Sequence, residues 1–359
     1  MISFFRSLLI VFLFVGCSGF SAPLPRGAGL SLEEWHECEH YINTEADKIF
    51  SKGITYIAPG EHHPCGIEKD KKTGAVYIQL EGKEGAWLGE GGFKRVTKSI
   101  LYGKRPKLVA CCQGGASVVL EAKVLRKLRK SEGIVHMKGV IQRSRDQIDM
   151  MIEYCNAGSL VDVHEGRLSI ADNELLPIMR ELIIGLRSLH ACGYIHRDLH
   201  RGNILFSRKG GTLHAALTDF GLALKMHERP GACISVQNSV VAPETLLKRR
   251  RSINRKMAEG YSLGVLFYEM VFGERPSWCG SFNQTELNKL SLSERKKMFH
   301  TIQANYKAMV CLAPHKKDVR GDLARLTYLL LSPDVHKRIY LDVAQKKIDA
   351  IAKKWFRSE

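Results

Sequence analysis

The sequence predicts an α+β fold in two lobes, because strand-like segments fill its first half and helical periodicity dominates its second half. Up to Cys155 the chain reads as strand, strand, strand, helix, strand and strand, with turn residues between the segments. Beyond Cys155 the apolar residues recur every three to four positions, which is typical of helices packed on one face. A small sheet followed by a helical lobe predicts a cleft between the two.

The first 22 residues have the layout of an export signal. Arg6 precedes an unbroken apolar run from Leu8 to Val15, and small residues follow as far as Ala22. The run is too short to cross a bilayer as a permanent helix, which favours a secretory signal peptide over a buried N-terminal helix. The residues that end at Cys17 are also similar to a bacterial lipoprotein signal, in which that cysteine carries the lipid.

These features predict a protein that is exported or membrane-associated through its N-terminus. Two alternatives stay open: a cytosolic protein whose translation begins downstream, and an effector that is delivered into another cell. The formal net charge of +17 predicts acidic partners. As partners we expect acidic protein segments or an anionic membrane surface rather than nucleic acid; the oligomeric state stays open.

Residues 23–81 are predicted to be a linker and a pre-domain segment. Pro and Gly are frequent from Ala22 to Leu30, and a short mixed segment follows. The ten cysteines show no spacing that indicates a disulfide framework, so most are expected to be reduced core residues. Cys38 and Cys65 flank the mixed segment and could pair in an oxidising compartment.

The strands and helices follow in order along the chain. Three strand-like segments, AVYIQL, AWLGEGGFKRV and PKLVACC, precede a helix over Val118–Leu128. The apolar segments GIVHMKGVI and IDMMIEYC then predict two more strands. Four later stretches predict helices: Leu175–Leu189, Tyr261–Phe272, Leu323–Leu331 and Leu341–Lys353.

A glycine-rich segment lies between two of the strand candidates. Its residues Gly89, Glu90, Gly91, Gly92 and Phe93 can form a hairpin whose backbone approaches a phosphate closely, since side chains at the glycines would block that approach. Taken alone, such a segment is more often a simple turn.

The segment YIHRDLHRGNIL, which begins at Tyr194, carries the strongest indication of function. Asp198 is followed five residues later by Asn203, and Asp219 of an Asp-Phe-Gly motif comes sixteen residues after that. Two carboxylates and an amide in this pattern can place oxygen ligands around one nucleotide-bound metal ion.

With these motifs the sequence resembles the eukaryotic-type protein kinases, which carry a glycine-rich loop, HRDxxxxN, DFG and APE in this order. All four occur here: LGEGGFKRV from Leu88, HRDLHRGN from His196, DFG at Asp219 and APE from Ala242 to Glu244.

The resemblance covers roughly Gly82 to Trp355 and implies a bilobal protein kinase fold over residues 82–356. It implies a small five-stranded antiparallel sheet plus one helix in an N-lobe over 82–153. A large, mostly helical C-lobe is implied over 156–356. The cofactors that the resemblance implies are ATP and Mg²⁺.

The resemblance also implies a role for each matching residue. Asp198 matches the catalytic base that accepts a hydrogen bond from the substrate hydroxyl, and Asn203 and Asp219 match the magnesium ligands. Ile152 to Cys155 match the hinge that contacts adenine. The implied nucleotide contacts are Leu88, Gly89, Glu90, Gly91, Gly92, Phe93, Lys94, Val96, Ala110, Cys112, Glu121, Glu153, Cys155 and Leu205.

Two ion pairs follow from the same alignment. Glu121 matches the helix glutamate that pairs with the nucleotide-binding lysine, although a solvated helix residue is the alternative. Arg338 matches the arginine that pairs with the APE glutamate, here Glu244, in a structural role.

The pattern breaks on the third strand, where the family expects VAxK and this chain has VACC. Cys112 stands at the lysine position and is too short and normally uncharged to hold phosphate oxygens. One hypothesis is a pseudokinase. The other is that Lys94, at the third glycine of the loop, supplies the charge from the second strand, an arrangement similar to the with-no-lysine kinases. A solvent-facing Lys94 is the alternative to this rescue.

Three further positions depart from the family pattern. His200 replaces the lysine that is common two residues after the catalytic aspartate, and it could donate to the γ-phosphate. Gln237 replaces a threonine near the APE motif. Glu259 stands where an aspartate normally ties down the catalytic loop.

Two features suggest regulation and partner choice. Ser235 and Ser239 are candidate phosphorylation sites whose phosphate Arg197 could bind, with a loop ordered without phosphorylation as the alternative. The basic run KRRRSINRK from Lys248 could favour acidic substrates or a membrane surface, but such a run is usually only a solvated face.

The sequence therefore predicts an ATP-dependent protein kinase that phosphorylates serine or threonine hydroxyls. Its predicted catalytic residues are Asp198, Lys94 and His200, and tyrosine specificity stays open. The alternative is a nucleotide-binding pseudokinase that acts as a scaffold or interaction module.

Overall fold

The computed structural model describes residues 22–52, 56–60, 63–92, 94–228, 242–247, 253–278, 289–312 and 317–356. The predicted export signal, Phe93, the candidate phosphorylation sites, Gln237 and most of the basic run lie outside these ranges. Among the helices of the described ranges, none combines the length and the apolar character that a membrane span requires.

The described residues form two compact units. The N-terminal unit comprises the residues up to Glu90 together with Arg95–Cys111, and the C-terminal unit comprises Gly91–Lys94 together with the residues from Cys112 onward.

The N-terminal unit begins with a helix that the pre-domain segment supplies. Helix α1 spans Leu32–Tyr41, a π-helical stretch spans Ile42–Ala46, and the short α2 spans Asp47–Phe50. A capping box starts α1: the Ser31 hydroxyl accepts the Glu34 N–H at 3.1 Å, and the Glu34 carboxylate accepts the Ser31 N–H at 2.9 Å. The helix buries one face, which carries Trp35 and Cys38.

The strands of the N-terminal unit form a sheet of order β1-β2-β3-β5-β6, with β4 paired to β5. Their bounds are β1 Tyr56–Ile57, β2 Gly66–Lys69, β3 Val76–Gln79, β4 Trp87–Gly91, β5 Lys94–Leu101 and β6 Lys107–Gly114. The pre-domain segment thus contributes three strands, of which the sequence predicted only β3, the AVYIQL segment. Strands β4 and β5 flank the glycine-rich turn, as predicted.

Strand alternation gives this sheet an apolar face and a polar face. Ile67, Ile78 and Ile100 lie opposite one another on β2, β3 and β5, and all three are fully buried in one core cluster with Trp35 of α1. The apolar face therefore fixes where the N-terminal helix packs.

The C-terminal unit is mostly helical. Its strands are β7 Met137–Gln142, β8 Ile148–Glu153, β9 Gly158–Ser159, β10 Tyr194–Ile195, β11 Ile204–Lys209, β12 Thr212–Leu217 and β13 Leu224–Lys225. Its helices are α3 Ala116–Lys127, α4 Leu160–His164, α5 Asp172–Ala191, α6 Glu244–Leu247, α7 Arg255–Phe272, α8 Leu292–Leu312, α9 Val319–Leu330 and α10 Leu341–Trp355, with a 3₁₀ turn over Arg201–Asn203.

All five helices predicted from periodicity are confirmed, as α3, α5, α7, α9 and α10, and the α+β class is confirmed with them. Arg338 and Glu244 form the predicted ion pair through two hydrogen bonds of 2.8 Å, and both side chains are buried. Helix α8 and the β11–β12 hairpin were not predicted.

Candidate active site

The loop after β10 is held in an unusual backbone conformation. Arg197 has a φ of 71°, a left-handed value that a residue with a side chain adopts only at a cost. The Arg197 N–H donates to the Glu259 carboxylate at 2.6 Å, and the other carboxylate oxygen of Glu259 lies 2.7 Å from Nε2 of the buried His190. Glu259 on α7 therefore anchors this loop although it is one methylene longer than aspartate.

A hairpin brings Asn203 and Asp219 to the same end of two strands. Asn203 immediately precedes β11, and Asp219 follows β12 by two residues, while Ile204 pairs with Leu217 across the ladder. The Thr218 N–H donates to the Asn203 carbonyl at 3.1 Å, which closes this end of the hairpin. Asp219 also has a left-handed φ, 62°, a value that aspartate tolerates better than most residues.

Asp198 lies beside Asn203. The Asn203 amide nitrogen donates to the Asp198 carbonyl at 2.8 Å and approaches the Asp198 carboxylate at 3.4 Å. Since the nitrogen of the amide is used in this way, its oxygen is the atom suited to a metal ion.

His200 is oriented toward Asp198. Its Nδ1 accepts the Gly202 N–H at 3.1 Å, so the proton of the neutral ring is on Nε2, which lies 3.5 Å from the Asp198 carboxylate. Burial alone would raise the pKa of Asp198, but the hydrogen bond from His200, together with His196 and Asn203, lowers that pKa below its ordinary value. Asp198 is therefore an anion at neutral pH.

Lys94 connects the start of β5 with the two carboxylates of this site. Its ammonium lies 2.9 Å from Glu121 on α3 and 3.2 Å from Asp219. The second oxygen of Glu121 accepts the Phe220 N–H at 3.3 Å, and Glu121 is fully buried. Burial would lower the pKa of Lys94, but Glu121 and Asp219 outweigh it and raise that pKa above its ordinary value.

This site contains the carboxylates of Asp198 and Asp219, the amide of Asn203 and the ammonium of Lys94. Comparison with known proteins agrees with the motifs that carry these residues. The family model for the protein kinase domain matches residues 86–355. The chain belongs to the protein kinase family.

Relatives of the kinase domain include plant serine/threonine kinases. It is 26% identical over 286 residues to the probable serine/threonine-protein kinase CCRP1 of Zea mays, which covers 75% of this chain and 44% of the relative. It is 23% identical over 308 residues to a calcium and calcium/calmodulin-dependent serine/threonine-protein kinase of Oryza sativa subsp. japonica, which covers 80% of this chain and 58% of the relative. The chain thus spans about half the length of these curated relatives.

Cys112, which the resemblance matched to the usual lysine position, is buried. Burial raises the pKa of its thiol to about 12, even though Lys94 opposes the shift. The thiol is neutral at pH 7 and cannot replace an ammonium group.

The other predicted nucleotide contacts of the kinase domain are divided between the two units. Leu88, Gly89, Glu90, Val96 and Ala110 belong to the N-terminal unit, and Gly91, Gly92, Glu153, Cys155 and Leu205 belong to the C-terminal unit. The Glu153 carboxylate already has two partners on His136: it accepts the His136 N–H at 3.0 Å and pairs with the His136 ring. Burial raises the pKa of Cys155 to about 11.

Two sets of hydrogen bonds that hold the backbone of the site in place were not predicted from the sequence. His190 gave no signal, because its partner Glu259 lies 69 residues away. Glu269 on α7 bonds both Arg201, at 2.6 Å, and Arg275, at 2.7 Å, and so ties the turn beneath Asn203 to the helix. Both interactions depend on how α7 packs, which no local motif encodes.

Proposed function

We propose that this chain is an active kinase that transfers the γ-phosphoryl group of ATP to serine or threonine hydroxyls of proteins. The observation that carries the proposal is the position of Lys94, whose amine contacts both Glu121 and Asp219. A lysine that contacts the phosphates of a bound nucleotide needs its amine beside Asp219, where those phosphates would lie. The neutral Cys112 thiol next to it leaves Lys94 as the cation for this task.

The donor set fits a magnesium ion. Mg²⁺ prefers oxygen ligands, and it usually binds one or two protein groups while phosphates and waters complete its shell. Asp219 offers a carboxylate and Asn203 an amide oxygen. Within the described ranges, no group of three or more His, Cys, Asp or Glu side chains is arranged to hold a metal ion, so phosphate oxygens would have to complete the site. When bound, the metal would neutralise the charge of the phosphates.

The remaining residues orient the acceptor. The ionised Asp198 accepts the hydrogen bond of the substrate hydroxyl and aims its oxygen at the phosphorus. The Nε2–H of His200 keeps the Asp198 carboxylate in place and offers a donor near the transferred group. Glu259 holds the backbone that presents both side chains.

One observation favours the second candidate, a nucleotide-binding pseudokinase that acts as a scaffold. The cysteine at the third-strand lysine position would abolish catalysis if Lys94 did not hold the phosphates. Both candidates bind nucleotide, but only the active kinase transfers a phosphoryl group.

The experiment measures transfer from labelled ATP with Mg²⁺ to the protein itself and to a generic protein substrate. Wild type is compared with Asp198→Ala and with the matched control Asp146→Asn, an exposed aspartate on the β7–β8 turn. We expect transfer by wild type and by the control, and loss with Asp198→Ala. Wild type that shows a nucleotide-dependent rise in melting temperature but no more transfer than Asp198→Ala would establish the scaffold instead. Phosphoamino-acid analysis would test the preference for serine and threonine.

A further inference from the structure

Two thiols meet in the core of the N-terminal unit. Cys38 lies in the last turn of α1 with no exposed surface, and Cys65, which immediately precedes β2, is 2% exposed. The two side chains share a hydrogen bond, and the Cys65 N–H donates to the Cys38 sulfur. This contact joins the pre-domain helix to the sheet.

The surroundings favour an uncharged sulfur pair. Trp35, Ile67 and Ile78 belong to the same buried cluster as the two cysteines. A thiolate in such surroundings is costly, whereas a disulfide is neutral and leaves no polar hydrogen to satisfy. By contrast, Cys111 and Cys112 are consecutive on β6, so their side chains point to opposite faces and cannot pair.

We propose that Cys38 and Cys65 form a disulfide that fastens α1 to the sheet when the protein meets a small-molecule disulfide oxidant such as oxidised glutathione. The reaction oxidises two protein thiols to one disulfide and reduces one glutathione disulfide to two thiols. The two protons given up by the cysteines go to the two glutathione thiolates. An oxidising compartment, which the predicted export signal implies, would supply such an oxidant.

The reaction runs in two steps. Because both sulfurs are buried, the oxidant reaches them during folding or local opening. One cysteine thiolate attacks the glutathione disulfide, forms a mixed disulfide and expels the first glutathione thiolate. The other cysteine then attacks the protein sulfur of that mixed disulfide and expels the second glutathione.

The cross-link should stabilise the N-terminal unit. It closes a loop of about 27 residues, and loop-closure entropy then shifts the unfolding equilibrium by roughly 400-fold. The kinase site uses none of the residues involved, so the effect on stability is separate from the proposed activity.

The experiment refolds the full chain with oxidised glutathione or with dithiothreitol, alkylates the remaining thiols and digests the protein without reduction. We expect mass spectrometry to find the peptide of Cys38 joined to that of Cys65 in the oxidised sample, together with a higher melting temperature. Cys38→Ser should abolish the temperature difference between the two samples, whereas the matched control Cys192→Ser, at the end of α5, should keep it.

Three results would overturn the proposal. Complete alkylation of both cysteines after oxidation would exclude the bond, and this test needs only the wild-type protein. Equal yields of links to other cysteines would show that the pairing is not selective. A linked protein that melts no higher than the reduced one would refute the fastening role.

Discussion

Removal of the Lys94 amine tests the central feature of the proposed function. Lys94→Met keeps most of the unbranched stem of the side chain and deletes the charge that lies 2.9 Å from Glu121 and 3.2 Å from Asp219. Glu121 has no exposed surface, so water cannot replace the lost cation. The two carboxylates would then face each other with nothing between them.

Both stability and activity should fall. Removing one partner of a buried ion pair leaves the other charge unpaired and lowers the free energy of unfolding by about 3–5 kcal/mol. For a domain of this size, that loss lowers the melting temperature by roughly 6–20 °C. Loss of a group that stabilises charge in the transition state should lower the transfer rate by roughly 10²- to 10³-fold.

Three further variants separate these effects. Arg95→Met removes the neighbouring cation, which is about half exposed and pairs with Glu81 at the surface, and should change little. Lys94→Met/Glu121→Gln removes the stranded charge and should regain stability without regaining activity. Lys94→Met/Cys112→Lys returns an amine from the third strand and should regain part of the activity.

Calorimetry and initial rates with labelled ATP provide the measurements. If Lys94→Met melted and transferred phosphate like wild type, the displaced-lysine hypothesis would be wrong. If the double variant with Glu121→Gln were no more stable than Lys94→Met, the argument from the buried charge would fail.

Four more outcomes are expected. Glu244→Ala leaves the Arg338 guanidinium buried without its partner and should destabilise the domain by about 3–5 kcal/mol in chemical unfolding; a loss below 1 kcal/mol would contradict this. Glu259→Ala frees the left-handed Arg197 backbone and should slow transfer by roughly 5- to 150-fold, from a cost of about 1–3 kcal/mol, whereas Glu259→Gln, which keeps an acceptor, should lose less. Burial would raise the pKa of Asp322, but hydrogen bonds from α9 and α10 lower it from 3.8 to about 2; its stabilisation is therefore present at neutral pH and lost as the pH falls below about 4, so an Asp322→Asn variant should melt lower at pH 7 and approach wild type in acid. The mass of the mature protein should show a processed N-terminus, and an intact first methionine on a soluble protein would refute the export prediction.

Local rules account for much of what could be predicted. The helical period placed α3, α5, α7, α9 and α10, because a helix that packs on one face needs apolar residues every three to four positions. Asn203 and Asp219 also belong together for a local reason, since a single hairpin joins them. The pairing of Arg338 with Glu244 came only from the resemblance to the kinases.

Tertiary packing decided the rest. The resemblance placed Glu259 at the position that ties down the catalytic loop, but nothing near it in sequence indicates that it also bonds His190, because that contact depends on how α7 packs. No local pattern indicated β1, β2 or the burial of Trp35 in the pre-domain segment, although β3 of the same segment was predicted. Short-range patterns fix which element forms, since turns and helices are set by a few neighbouring residues. Which side chains from distant elements meet is fixed only when the elements pack. That step added Asp219 to the expected partner Glu121 of Lys94, and it placed Cys38 and Cys65, which the sequence could name only as candidates, in one buried cluster.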